Sequence, residues 1–405
     1  MPANQVNFGA ARVMMAAIQH TSNNTPRFRN IGTILALRSL SNQQVLQALD
    51  PINAAETKAL GWKTVAGRDI PIPVVTLQYR PRNSGTAYNE RATRTDGQVE
   101  RSGASVDVKF DMYKETALKK TINSKLVEPN TVSYAESLLA GKLDQNGLNE
   151  FSKITGLLGL DLYQEIGETL YHPVNIASLT KLVAAIGKNA AYPTVVTPTA
   201  AAPIVQVVAR DINGNPTKGV YSFIRTTKLS NKFSGRPLVI GGPKLAALLA
   251  EEKIYAINAE GLKIDAVYAN TEFDFYYDED IDTVAGTDVC LCIEGGAVAL
   301  KEFNYHGSLI DVPRHANTAY GTMVMKIAQY NEENPLLQNT PSMFSMNMDV
   351  RATESVDAQD MPKSIIVPSI ACGVYTRPLG YFSAVSGDIM KDTTGIYAFK
   401  LVDAS

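Results

Sequence analysis

The chain is poor in the residues from which most catalytic and metal sites are built. Its 405 residues include four histidines, three cysteines and one tryptophan. Scattered histidines with no Cys/His spacing exclude the common structural zinc patterns. The cysteines form no disulfide framework. Cys290 and Cys292 stand two apart in the apolar run Val289 to Ile293, which puts them on one strand face roughly 6.6 Å apart, a poor span for a disulfide, and Cys372 is remote. Buried, reduced thiols and a reducing compartment are expected. No run approaches the ~20 apolar residues of a membrane span. The first twenty residues lack the apolar core and cleavage site of a secretory signal. These absences describe a protein made and folded in a cytoplasm, with no membrane partner.

Charge is nearly balanced, 38 Lys and Arg against 40 Asp and Glu, and the mean hydropathy is -0.08. The length suits two or three sub-domains around a sizeable core, and a net charge of -2 gives no global nucleic-acid signature. The charges are unevenly placed. Met1 to Leu49 holds Arg12, Arg27, Arg29 and Arg38 and no acidic residue, whereas Glu272 to Asp282 holds Glu272, Asp274, Asp278, Glu279, Asp280 and Asp282. Opposite patches on one chain can steer association between copies. The same residues also fit a polar arm and a solvated acidic loop.

What is present in force is a long hairpin, from Ile72 to Tyr113. Its returning arm alternates Val106, Val108, Phe110 and Met112 with Ser105, Asp107, Lys109 and Asp111, the period of a half-buried strand. The outgoing arm carries Val75, Leu77 and Tyr79, with Pro71 and Pro73 at its start. Between the arms, Pro81 to Ala104 contains one valine, one tyrosine, Arg82, Arg91, Arg94 and Arg101, and no lysine. Fully extended, about 21 residues per arm would reach roughly 70 Å, against a radius of gyration of about 21 Å for a globule of this length. An arm so long, polar and arginine-bearing makes sense if another molecule receives it.

The rest of the chain alternates helical and strand patterns. The first 60 residues, rich in Asn, Gln, Ser and Thr, read as an extended arm with one or two short helices, poorly ordered in a free subunit. Helices are predicted over Ser133 to Leu143, Leu148 to Tyr171 and Ile176 to Ile186. In the longest, Phe151, Ile154, Leu158, Leu162, Ile166 and Leu170 form one apolar stripe, Gly156, Gly159 and Gly167 suggest close approach of a neighbouring backbone, and Pro173 ends the helix. Pro193 to Pro203 is a linker. Ile204 to Ala209 and Val220 to Ile224 bracket the turn Asn213-Gly214-Asn215-Pro216. Strand Leu238 to Ile240, helix Lys244 to Glu252 and strand Ile264 to Ala269 fit a small α/β unit. Strands then follow at Val289 to Ile293, Ala297 to Phe303, Thr322 to Ala328, Met343 to Val350, Ile365 to Val367 and Ile396 to Leu401. Their clustered methionines suit core filling.

Chemical motifs are incomplete. Leu238-Val-Ile-Gly-Gly-Pro-Lys244 runs a strand through glycines into a helix, where backbone N–H groups can hold phosphate, but the dinucleotide and P-loop patterns are not met. Asp278, Asp280 and Asp282 imitate a calcium loop, with Thr283 and Val289 where Gly and Glu belong. His306, Ser308 and Asp311 are triad residue types without a nucleophile elbow. No catalytic, metal or cofactor residue is assigned, and the chain is read as no enzyme.

The order of these parts, including Arg236-Pro-Leu-Val-Ile-Gly-Gly-Pro-Lys244 and Asp288-Val-Cys-Leu-Cys-Ile-Glu-Gly-Gly-Ala-Val298, resembles the major capsid proteins of tailed phages, with the Hong Kong 97-like α+β fold. The resemblance covers most of the chain and rests on architecture. It implies an N-terminal arm over 1–60, an extended hairpin loop over 61–120, a peripheral domain with a long spine helix over 121–195 and 320–380, an axial α/β domain over 196–319, and a C-terminal strand over 381–405. It also implies self-assembly into the pentamers and hexamers of an icosahedral shell, with portal, scaffolding or decoration proteins and nonspecifically held double-stranded DNA as further partners, in a virion assembled in the host cytoplasm. Some members weld neighbours through a lysine of the extended loop. The lysine-free tip here departs from that, and bidentate arginine–carboxylate pairs would take its place. The residues expected at inter-subunit contacts are Arg82, Arg91, Arg94 and Arg101, Arg27 and Arg29, and Asp278, Glu279 and Asp280. Another assembling protein, such as a tail sheath or a bacterial encapsulating shell, and a cytoplasmic α/β nucleotide-binding enzyme are the alternatives.

Overall fold

Among the described residues the strands fall into three sheets. The computed structural model describes residues 8–24, 28, 30–41, 43–49, 57–65, 68–79, 104–121, 128–193, 204–255, 273–304, 313–315, 318–328, 343–356, 362–383 and 386–404. The first sheet is antiparallel: β1 (Thr57–Val65), β2 (Arg68–Tyr79) and β3 (Ala104–Lys109). The second runs β10 (Val298–Phe303), β14 (Pro362–Thr376), β13 (Met343–Val356), β12 (Thr318–Ala328) and β11 (Pro313–His315), with β4 (Met112–Glu115) and β5 (Leu118–Thr121) also on β14. Strand β14 is its trunk, with β13 then β10 along one edge and β5 then β4 along the other. The third sheet is mixed: β6 (Val205–Arg210), β15 (Ile396–Asp403), β9 (Val289–Ile293), β7 (Leu238–Gly241) and β8 (Asp274–Tyr277).

Two strands join partners that sequence order did not suggest. The C-terminal strand β15 sits between β6 and β9 inside the third sheet. Strand β10, read with the α/β unit, pairs with β14 of the second sheet. Period-two alternation reads well elsewhere. Met346 and Met348 are buried and face Met325 and Met323 across the ladder, with buried Val350 opposite Gly321, so the methionines fill core. Cys290 and Cys292 lie on one buried face of β9, and all three thiols are free. Burial pushes the Cys292 thiol up to about 12 and the other two upward as well, which leaves them poor nucleophiles.

The described part of the N-terminal stretch is mostly helical rather than extended. Residues Gly9–Asn24 form helix α1, followed by α2 (Gly32–Leu40) and α3 (Gln43–Ala48). Helix α1 is buried on nearly every side, with Val13, Met14, Met15, Ala16 and Ile18 all in the core. A helix apolar all round belongs in an interior, and its alanines let neighbours come close. It is enclosed by α4 (Pro129–Leu139), α5 (Gln145–Ile166) and β12. The closest approach is at Gly159 of α5, where a Cβ would lie 2.5 Å from Thr21 Oγ1 and 2.7 Å from the Ala17 carbonyl oxygen. Gly167 is likewise filled by the Phe28 ring, whereas Gly156 has open space around it.

Helix α5 begins where Asp144 accepts the Gly147 N–H at 2.9 Å. Its buried stripe contains Phe151, Thr155, Gly159, Leu162, Tyr163 and Ile166. Leu158 is half-buried against that core, and Ile154, expected on the stripe, faces solvent. Pro173 does not end the helix. A π-helical turn over Gly167–Tyr171, in which the His172 N–H donates to Gly167 O, carries the chain into α6 (His172–Ala184). Pro173 falls within the first two residues of α6, where widened turns accommodate the N–H it lacks. Residues Val220 to Ile224, read as flanking a turn, belong to α7 (Gly219–Ser230). Val220, Phe223, Ile224 and Thr227 are its buried residues, a helical spacing. Helix α8 (Pro243–Tyr255) completes the α/β unit around β6 to β9 and β15. The strand expected over Ile264 to Ala269 lies outside the described residues, as does the linker from Pro193 to Pro203 apart from Pro193 itself.

Candidate functional site

The hairpin is held against the body at the root, and its burial falls along the described part of β2 and β3. Strands β2 and β3 pair from Val74↔Lys109 to Tyr79↔Ala104. Near the body, Val75, Val108 and Phe110 are buried against Leu49, Ala299 and Tyr375, and the Phe110 and Phe303 rings stand 5.9 Å apart. Further out, Leu77 and Val106 are only half-buried, while Ser105, Asp107 and Lys109 form an exposed polar face. Thr76 donates to Asp107 across the pair at 2.7 Å. Strand β1 widens the hairpin through a bulge at Gly61, whose φ of +116° suits glycine, and presents Trp62 at 68 % exposure. An exposed tryptophan is unusual on a surface that meets only water. Arg82, Arg91, Arg94 and Arg101, like Arg27 and Arg29, are outside the described residues.

One carboxylate of the acidic segment turns inward. Asp278, expected at a subunit contact, is fully buried. Its Oδ2 accepts the Thr33 N–H at 2.9 Å, the Thr33 hydroxyl at 2.6 Å and Asn175 Nδ2 at 2.8 Å, and Oδ1 accepts the Asp280 N–H at 3.1 Å. Asn175 Oδ1 accepts the Ile34 N–H at 3.0 Å. Two distant side chains thereby cap α2, whose own N-cap residue, Ile31, has no capping group. Burial still raises the Asp278 carboxyl, and the donors from Thr33 and Asn175 offset only part of that cost. Asp280 pairs with His172 Nε2 at 2.8 Å, and exposed Glu279 accepts Asn30 Nδ2. Two basic residues of the N-terminal stretch are also used at home. Arg12 meets Glu136, and Arg38 grips Glu302 in a two-pronged pair at 2.8 and 3.3 Å.

The glycine loop before α8 is set against anions. A Cβ on Gly242 would lie 3.0 Å from an Asp282 carboxylate oxygen, and Lys244 is taken by Asp288 at 3.3 Å and Asp403 at 3.0 Å. Carboxylates therefore occupy the space where phosphate would approach the helix start, which opposes the nucleotide reading. The calcium reading fares no better, because Asp278, Asp280 and Asp282 point to three different partners: Thr33, His172 and the Asp288 N–H at 3.0 Å. Among the described residues no group of three or more His, Cys, Asp or Glu could hold a metal ion, and no helix is long and apolar enough to cross a membrane. His306, Ser308 and Asp311 are outside the described residues.

One surface escaped the sequence reading. Ile154, Leu157 and Leu160 are exposed side by side on α5, the face turned away from α1. A second apolar cluster on the helical wheel, offset from the stripe, was the available signal.

No family model and no curated protein matches this chain. Solved structures do. A structure titled Mycobacterium phage Bobi is 14% identical, with 82% of this chain and 86% of that chain covered and a TM-score of 0.33. The asymmetric unit of the bacteriophage PhiM1 mature capsid is 8% identical, with 82% and 83% covered and a TM-score of 0.35. An acid-stable capsid structure of the Helicobacter pylori bacteriophage KHP30 is 8% identical, with 82% and 85% covered and a TM-score of 0.36.

Proposed function

We propose that this chain is the major capsid protein of a tailed phage, which self-assembles into the icosahedral shell around the genome. The observation that carries the reading is the hairpin. Its root is gripped by the body, its burial fades along β2 and β3, and it leads into the arginine-bearing, lysine-free stretch from Pro81 to Ala104. Such a segment gains its enthalpy from a neighbour, and Arg82, Arg91, Arg94 and Arg101 would find carboxylates there. The architecture is α+β. In this reading 61–120 is the extended loop, 121–195 and 320–380 form the peripheral domain with α5 as its spine, and 196–319 forms the axial domain, joined by β15. Helices α1 and α2 act as core rather than as a free arm. Portal, scaffolding or decoration proteins and packaged DNA are further partners, in a virion assembled in the host cytoplasm.

The work of such a protein is structural, and the carboxylates around the Gly241-Gly242 loop fit that role. Electron microscopy of the purified protein tests the proposal. Closed hollow shells are expected. Tubes would point to a sheath, and uniformly small particles to a soluble enzyme, and either result would overturn it.

A further inference from the structure

Helix α5 has two apolar surfaces, and its own subunit covers one. The stripe of Phe151, Leu162 and Ile166 is buried under α1 and the second sheet. Ile154, Leu157 and Leu160 are 43, 87 and 40 % exposed. At 3.6 residues per turn, Ile154 and Leu160 lie about 60° to either side of Leu157, so the three make one ridge. The charges beside it share this symmetry. Lys153 stands four residues before Leu157 and Asp161 four residues after it, and both side chains are largely exposed. Their present partners, Glu150 at 2.7 Å from Lys153 and Lys120 at 2.5 Å from Asp161, form surface pairs that exchange at little cost.

We propose that this ridge is a two-fold contact in which α5 lies antiparallel to the same helix of a second copy, centred on Leu157. Facing residues then fall at equal steps on either side of the centre. Leu157 meets the partner's Leu157, Ile154 meets the partner's Leu160, and Lys153 meets the partner's Asp161. A two-fold contact uses the same patch on both subunits and so requires a self-complementary surface. A parallel pairing would instead set Lys153 against lysine and Asp161 against aspartate, which repels. The charge pattern thus selects both the occupant, a second copy, and its direction. Three side chains cannot supply the ~1,000 Å² of a stable interface, so the contact forms where other contacts already hold the copies together. In that sense the inference rests on the self-assembly reading.

Single cysteines test it. With helix axes about 8–10 Å apart and Cα atoms about 2.3 Å from each axis, the two central Leu157 Cα atoms come within about 4–5 Å, at the lower end of disulfide reach. The native Cys290, Cys292 and Cys372 are buried, so background coupling is low. In assembled particles treated with a mild oxidant, Leu157→Cys is expected to shift from monomer to dimer on a non-reducing gel. Ile154→Cys and Leu160→Cys, about 60° off the contact line, should each stay monomeric. Leu157 is so exposed that its variant keeps the wild-type fold, which circular dichroism checks. Particles of normal appearance in which Leu157→Cys stays monomeric, or couples no better than Ile154→Cys alone, would overturn the contact while leaving the self-assembly reading intact. Wild-type protein that forms no particles would overturn that reading and this contact together.

Discussion

Two glycines three residues apart on α5 should respond to the same substitution with opposite sign. In an exposed helix interior Gly→Ala gains roughly 1 kcal/mol of helix propensity. Gly156 has nothing within 4 Å of a Cβ, so Gly156→Ala should keep most of that gain. At Gly159 the added methyl would sit 2.5 Å from Thr21 Oγ1 and 2.7 Å from the Ala17 carbonyl oxygen, well inside ordinary contact distance. Thr21 cannot turn away freely, because its hydroxyl donates to that carbonyl at 3.0 Å. The carbonyl is backbone, so α1 must move as a body. Overpacking of this kind costs about 1–3 kcal/mol, and the shift also loosens α1 against β12. The two variants should therefore differ by about 1–3 kcal/mol, with Gly156→Ala above wild type and Gly159→Ala at or below it. Urea denaturation of the isolated subunit, followed by circular dichroism, reads the two midpoints. A Gly159→Ala variant as stabilised as Gly156→Ala would refute the close crossing of α1 and α5.

Leu162→Ala, at a fully buried position, should cost about 2–5 kcal/mol, while Leu157→Ala on the exposed ridge should stay within about 0.5 kcal/mol in the isolated subunit; equal midpoint shifts would mean that the two faces of α5 are assigned the wrong way round. Asp278 has its folded carboxyl raised above the ordinary 3.8 by burial. The folded state therefore holds its proton longer than the unfolded chain. The associated stability is fully present below pH 3.8 and is lost as pH rises through the raised value. Asp278→Asn removes this dependence, so the stability difference between wild type and variant should change across that window, and a flat difference would count against the buried site. Replacing Arg82, Arg91, Arg94 and Arg101 together by Ala should leave the subunit folded and impair shell formation; exposed pairs are worth only about 0–1 kcal/mol each, but a shell repeats them. Shells of unchanged yield and thermal stability would show that the arginines are not contact residues.

Much of the strand structure was legible because alternation is a local property. Phe344, Met346, Met348 and Val350 read as one face of a strand without reference to any partner, and so did Val106, Val108 and Phe110. The long helix was legible for the same reason, from Phe151, Leu162, Ile166 and Leu170. The buried residues of α7 recur at helical spacing too, yet the neighbouring Asn-Gly turn signal outweighed them. Helix α1 was harder: its Ala- and Met-rich island lacks a polar face, and a periodicity argument needs two faces to compare.

By itself, then, the sequence determined many of the strands, most of the long helix α5 and the absence of a disulfide framework, all of which are read from residues close together in the chain. Tertiary structure alone decided where charge and apolar surface go. Asp278 reads the same on paper whether solvated or buried, and its role depends on Thr33, 245 residues away. Arg12 and Arg38 read as free arm charges until Glu136 and Glu302 are brought beside them. Ile154 and Leu158 differ by one helical turn and are equally apolar, but α1 covers one side of α5 and leaves the other open. Burial is a property of what packs against a residue, and contacts between distant segments are set by the sum of many small packing terms that no local pattern records.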